Sequence, residues 1–284
     1  MSIHTNGFSP DTEHENLSTT ELRLDQPRTL TTSEGLALVI RGAGTPVFLM
    51  HGIGGSALSC GGLAQELAAE GFQTICWDAP GYGDSKNPKP DVEHAEAALR
   101  ALDELGVASV HLIGTSWGGV IATRIAAQNP VRVLSVILMD STRGSGRTEE
   151  SADNMLARLP ELEALGATAF AAKRAAKLVS PMAGEEVVAA VRNDMSRIRI
   201  PGYGAAARMM ATSDTSEDLK RITTPALVLV GEHDIVTGVA ESEVLAELIP
   251  GAEFAVVPEA GHAAIQEKPR DVAALILNFW KKSS

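Results

Sequence analysis

Six apolar runs recur along this chain, and none of them alternates: VFLMHG (47–52), FQTICWD (72–78), SVHLIG (109–114), VLSVILMD (133–140), PALVLVG (225–231) and AEFAVVP (252–258). A strand with one wet face alternates apolar and polar side chains, whereas a continuous run belongs to a strand covered on both faces. Between the runs lie LAQELAAEG, VEHAEAALRALDELG, WGGVIATRIAAQN, AESEVLAELI and PRDVAALILNFWKK, with apolar positions at helical spacing and several stops at Gly or Asn. This order predicts an α/β fold with a mostly parallel central sheet flanked by helices.

The rhythm breaks between residues 142 and 218, where the sequence is helical and rich in Ala and Met, and it resumes at PALVLVG. A helical cap inserted after VLSVILMD is expected to lie over the strand ends, where open parallel sheets bind ligands. The expected division is a flexible tail and first strand (1–28), a first core segment (29–141), the helical cap (142–218) and a second core segment (219–284). With 284 residues, 44% of them hydrophobic, the chain can fill a large core. A net charge of −12 argues against nucleic-acid binding. The absence of an apolar run of about 18 residues and of a signal-peptide pattern predicts a cytoplasmic protein without membrane spans. Cys60 and Cys76 are read as reduced thiols, and no residue cluster has metal-ligand or dinucleotide-binding spacing, so neither a metal nor a cofactor is expected. A monomer or homodimer is the expected state.

The motif Gly114-Thr115-Ser116-Trp117-Gly118-Gly119 follows one strand-like run and opens one helix-like run. A serine held on so sharp a turn takes a strained backbone, and small neighbours two residues either side relieve the crowding. Its hydroxyl needs a base to become a nucleophile, and the base needs an acid to orient it. Downstream, PALVLVG is followed by Glu232-His233-Asp234, and AEFAVVP by Glu259-Ala260-Gly261-His262. Both polar turns fall where a strand ends, on the same sheet edge as Ser116. The candidate triad is Ser116, Asp234 and His262, with Asp140 as the alternative acid because it too ends a strand.

His51-Gly52, the turn Asp78-Ala79-Pro80-Gly81-Tyr82-Gly83-Asp84-Ser85, the motif at 114–119, "GEHD" at 231–234 and "AGH" ending at 262 together resemble a capped α/β-hydrolase across residues 29–284. The resemblance implies acyl-transfer chemistry at Ser116, since related epoxide hydrolases and dehalogenases carry aspartate there. It also implies an oxyanion hole from the backbone amides of Ile53 and Trp117, with Gly54 keeping the loop open to a substrate carbonyl. His51 would shape that loop, and Asp78 and Asp84 would bond backbone amides in their turn.

The stretch Pro201-Gly202-Tyr203-Gly204 through Arg208 and the later AGHAAIQEKP resemble 3-oxoadipate enol-lactonases and related esterases. HGIGGSA and DAPGYGDS also resemble hydrolases that cleave carbon–carbon bonds in ring-fission products of aromatic catabolism. That group usually has Pro, Asn and Trp where this chain has Gly55, Thr115 and Ala263, so a small ester or lactone is the preferred substrate. Cofactor-free dioxygenases and ligand-binding receptors of the same fold are the remoter alternatives. Residues 173–208 hold seven basic side chains against three acidic ones. From them Arg192, Arg197, Arg199 and Arg208 are candidates to clamp a substrate carboxylate, and Met155, Met182, Met195, Met209 and Met210 to line an apolar pocket.

Overall fold

The computed structural model describes residues 26–283, so nearly all of the expected N-terminal tail lies outside the described residues. The strands are β1 (Arg28–Thr31), β2 (Ala37–Arg41), β3 (Thr45–Met50), β4 (Phe72–Trp77), β5 (Val110–Thr115), β6 (Val133–Met139), β7 (Ala226–Gly231) and β8 (Glu253–Val257). They form one eight-stranded sheet in the order β1-β2-β4-β3-β5-β6-β7-β8. β2 pairs antiparallel with β1 on one side and with β4 on the other, and every other pairing is parallel. β1 begins at residue 28, across the expected tail boundary rather than before it.

The continuous runs make sense once their period of two is split between two cores. Phe48, Met50, Leu112, Val136, Leu138 and Val228 face one side of the sheet, packed under α2 (His94–Glu104) and α3 (Trp117–Gln128). Val47, Leu49, Ile113, Ile137 and Leu229 face the other, under α1 (Gly61–Ala69) and the C-terminal helix Pro269–Ser283. A polar residue in the middle of these strands would therefore lose hydration on either face, which is why the runs do not alternate.

Between β6 and β7 the chain is helical: α4 (Glu149–Leu156), α5 (Arg158–Arg174), α6 (Glu185–Met195), α7 (Ile200–Thr212) and the short α8 (Ser216–Leu219). α4 and α5 pack on α7, and α5 also packs on α6. The start of α7 docks on the glycine-rich turn after β4 so closely that a Cβ on Gly202 would lie 2.4 Å from Gly81 O. Arg199 secures this contact, donating from Nε to Gly81 O (3.1 Å) and from its guanidinium to Ser85 O (2.5 Å). After β7 come α9 (Val239–Leu248), then β8, α10 (Ala264–Glu267) and α11 (Pro269–Ser283). Among the described residues no helix is long and apolar enough to cross a membrane.

Candidate active site

β5 ends at Thr115 and α3 starts at Trp117, so Ser116 alone makes the turn, with φ 53° and ψ −116°. A side chain at positive φ costs on the order of 1–3 kcal/mol, and it persists only where surrounding bonds over-determine it. Here Ser116 N donates to Met139 O (2.9 Å), and Ser116 O accepts from Gly119 N (3.0 Å) and Ser141 Oγ (3.0 Å). The helix start leaves no room beside it: a Cβ at Gly118 would lie 2.2 Å from Met50 O. The sharp turn thus lifts the serine hydroxyl out of the sheet edge and into a cavity.

His262 Nδ1 bonds Asp234 Oδ2 at 3.0 Å, and both side chains are buried. Asp234 sits in the turn after β7, where its Oδ1 accepts from Val236 N (2.7 Å) and Thr237 N (3.2 Å) and its Oδ2 from Thr237 Oγ1 (2.6 Å). Burial would raise this carboxyl, but the His262, Thr237 and Val236 bonds outweigh it and hold the group at about 2. An ionised Asp234 fixes Nδ1 as the protonated nitrogen of His262, leaving Nε2 as the free base. His262 and Ser116 line the same cavity. Asp140 takes another part: its Oδ1 accepts Gly231 N (2.8 Å), and burial, then the nearby Asp234 charge, push its carboxyl well up. The structure therefore pairs His262 with Asp234 and not with Asp140.

The loop after β3 is ordered by His51, which is fully buried. Ala79 N donates to His51 Nε2 (3.1 Å), so that nitrogen must be the acceptor and Nδ1 must carry the proton, which it gives to Gly52 O (2.8 Å). Gly55 N donates to the same carbonyl (3.0 Å). In a trans peptide the C=O and N–H point in opposite directions, so holding Gly52 O aims Ile53 N–H away from His51. Tyr82 Oη caps Ile53 O (3.0 Å), and Ala57 N bonds Asp78 Oδ1 (2.8 Å). Asp78 also accepts Asp84 N (2.9 Å), as expected, whereas Asp84 takes part only through its amide. Trp117 N–H, first in α3, has no intrahelical partner. The Trp117 indole is wholly buried, donates to Met209 Sδ (3.3 Å) and packs beside Tyr82 and His94.

Ser116, His262, Ile53, Gly54 and Trp117 all line one cavity of about 520 Å³ beneath the helical insertion. Met155, Met195 and Met210 line it as well, while Met182 is exposed and Met209 is taken up by Trp117. The four arginines expected to clamp a carboxylate are not there. On α6 the face turned inward carries Val191, Asp194 and Met195, which puts Arg192 on the solvent side. Arg197 and Arg208 are exposed, and Arg199 is occupied by the carbonyls of the glycine-rich turn. The cations that do line the cavity are Arg147, Arg158, Arg174 and Lys177. Arg174 and Lys177 belong to the basic stretch 173–208, whereas Arg147 and Arg158 lie outside it, and the convergence of the four depends on how the insertion folds. Thr237, which bonds Asp234, carries a sequence signal of its own, since a threonine three residues after an aspartate marks a turn. Among the described residues no His, Cys, Asp and Glu side chains are grouped so as to hold a metal ion.

A family profile described as the α/β hydrolase fold matches residues 45–269. The chain belongs to that family. It is 31% identical over 253 residues to the dihydrolipoyllysine-residue acetyltransferase component of an acetoin cleaving system from Pseudomonas putida, a match covering 84% of this chain. The chain spans only 64% of that protein's length. It is 27% identical over 205 residues to 3-oxoadipate enol-lactonase 2 of Acinetobacter baylyi, covering 70% of this chain and 75% of that one. Among solved structures, a malate-bound thermophilic esterase from Thermogutta terrifontis superposes with a TM-score of 0.81 at 28% identity, covering 91% of this chain and 99% of that one.

Proposed function

We propose that this α/β-hydrolase is a serine hydrolase acting on a small carboxylic ester or lactone through an acyl-enzyme. The observation that carries the reading is that His262, paired with Asp234, lines the same cavity as a serine held at positive φ. In the proposed cycle His262 Nε2 takes the Ser116 proton as Oγ attacks the carbonyl carbon. The amides of Ile53 and Trp117 donate to the resulting oxyanion, and Asp234 holds the imidazolium. The tetrahedral intermediate then expels the alcohol, which receives the proton from His262. Water, deprotonated by the same histidine, releases the acid and restores Ser116.

An ester or lactone is preferred to carbon–carbon cleavage because Gly55, Thr115 and Ala263 stand where the carbon–carbon hydrolases carry Pro, Asn and Trp. The names of two relatives, an enol-lactonase and an esterase with bound malate, support the same class and favour a substrate that carries a carboxylate. In this reading residues 142–218 form the substrate-enclosing cap over the two core segments. Pre-steady-state mixing with p-nitrophenyl acetate tests the mechanism. A burst of p-nitrophenol equal to the enzyme concentration is expected, with none from Ser116→Ala; a linear trace together with unchanged turnover by the variant would sink it.

A further inference from the structure

The cavity lining carries four cations, Arg147, Arg158, Arg174 and Lys177, against two acids, Asp194 and Glu241, in a chain whose net charge is −12. The two acids are already engaged elsewhere. Glu241 accepts from Arg143 (2.7 Å) and Arg147 (3.0 Å), and Asp214 acts on both arginines, so these two cations meet two carboxylates. Asp194 is turned onto Ser56, accepting from its Oγ (2.5 Å) and its N (3.2 Å). Arg158 and Lys177 have no ion-pair partner among the described residues. Arg174 is paired with Glu161, but that single carboxylate also serves Lys173 (2.5 Å). Arg174 Nε is buried with no hydrogen-bond partner, and its guanidinium lies 4.5 Å over the Phe170 ring.

The backbone builds this convergence. Arg158 and Arg174 are the two ends of the seventeen-residue α5, and in a straight helix they would stand about 24 Å apart. Gly166, at φ 72° and ψ 160°, breaks the helix between them. A Cβ there would touch nothing within 4 Å, so the glycine serves the turn and not a close contact. The two halves fold back on each other, so that Glu161 near the start of the helix pairs with Lys173 and Arg174 at its end, and Arg158 and Arg174 line one cavity. Lys177 follows on the next turn.

We propose that Arg158, Arg174 and Lys177 form a carboxylate-binding subsite, and that the hydrolysed substrate is an ester or lactone bearing a free carboxylate away from the reacting carbonyl. This inference rests on the serine-hydrolase reading for its substrate, though the subsite itself can be tested without turnover. Planar guanidiniums suit a carboxylate through paired N–H···O bonds; Arg158 and Arg174 are half-buried, and Lys177 is exposed.

Two matched esters read the subsite: p-nitrophenyl hemisuccinate, which ends in a carboxylate, and p-nitrophenyl butyrate, which ends in a methyl group. The ratio of their kcat/KM values is expected to fall about 10- to 100-fold in Arg158→Gln and further in Arg158→Gln/Lys177→Gln, with the change in KM for the hemisuccinate. Arg158→Lys should recover part of the ratio by keeping the charge. A ratio unchanged in both glutamine variants would overturn the subsite. If neither ester is turned over, calorimetric titration with glutarate still decides. Binding to the unaltered protein that weakens at least about 10-fold in Arg158→Gln upholds the subsite; equal binding to both proteins, or to neither, overturns it.

Discussion

At the scale of single residues, the site works by removing choices from polar groups. His51 has one tautomer open to it, because Ala79 N–H occupies Nε2 and burial lowers its pKa. Replacing it by Ala frees the Gly52–Ile53 peptide, and kcat is expected to fall about 100- to 1000-fold with little change in KM, as for loss of one oxyanion donor. A KM change without a kcat change would show that the loop serves binding alone. Asp234 has a pH signature. Its folded pKa of about 2 lies below the ordinary carboxylate value, so its contribution to stability is complete above about pH 4 and is lost as pH falls through 2. The size is on the order of 2 kcal/mol. Denaturant unfolding of the wild type and Asp234→Asn should therefore show a gap at pH 5 that closes toward pH 2; a gap independent of pH would contradict this.

At the scale of elements, the strands and the turns that carry Ser116, Asp234 and His262 were legible because local chemistry dictates them. Continuous apolar runs mean strands covered twice, and GTSWGG between a strand and a helix requires the turn that Ser116 makes. The insertion was readable only as helix. Which of its side chains enter the cavity depends on the break at Gly166 and on Arg199 binding carbonyls 114 to 118 residues earlier in the chain, contacts without any local pattern. Charge density along residues 173–208 therefore pointed at Arg192, Arg197, Arg199 and Arg208, while the inward cations include Arg147 and Arg158 from outside that window. Glu241 on α9 is a second tie of this long-range kind, gathering Thr142, Arg143 and Arg147 at the start of the insertion. Glu241→Gln should cost about 1–3 kcal/mol and lower Tm by several degrees in a thermal scan. No shift in Tm would mean the cluster is worth no more than a surface ion pair.

At the scale of the whole molecule, the sheet holds the proposed reacting groups while side chains of the insertion line the same cavity. Ser116, Asp234 and His262 all follow strand ends on one sheet edge, so a rigid body sets their positions. The insertion is tied to it by Arg199 on the glycine-rich turn, by Asp194 on Ser56, by Glu241 on Arg143 and Arg147, and by Ala263 N–H on Leu178 O. Arg199→Ala should speed amide hydrogen exchange in α6 and α7 while leaving exchange in β5 and β6 unchanged. Uniform acceleration throughout would show that body and insertion open as one unit. The central claim is that chemistry at this site passes through a covalent bond to Ser116. Mass spectrometry after inactivation with a p-nitrophenyl phosphonate measures this most directly. One adduct per chain, on the peptide containing Ser116 and concurrent with loss of ester turnover, is expected; an adduct on another residue with Ser116 unmodified would contradict the claim.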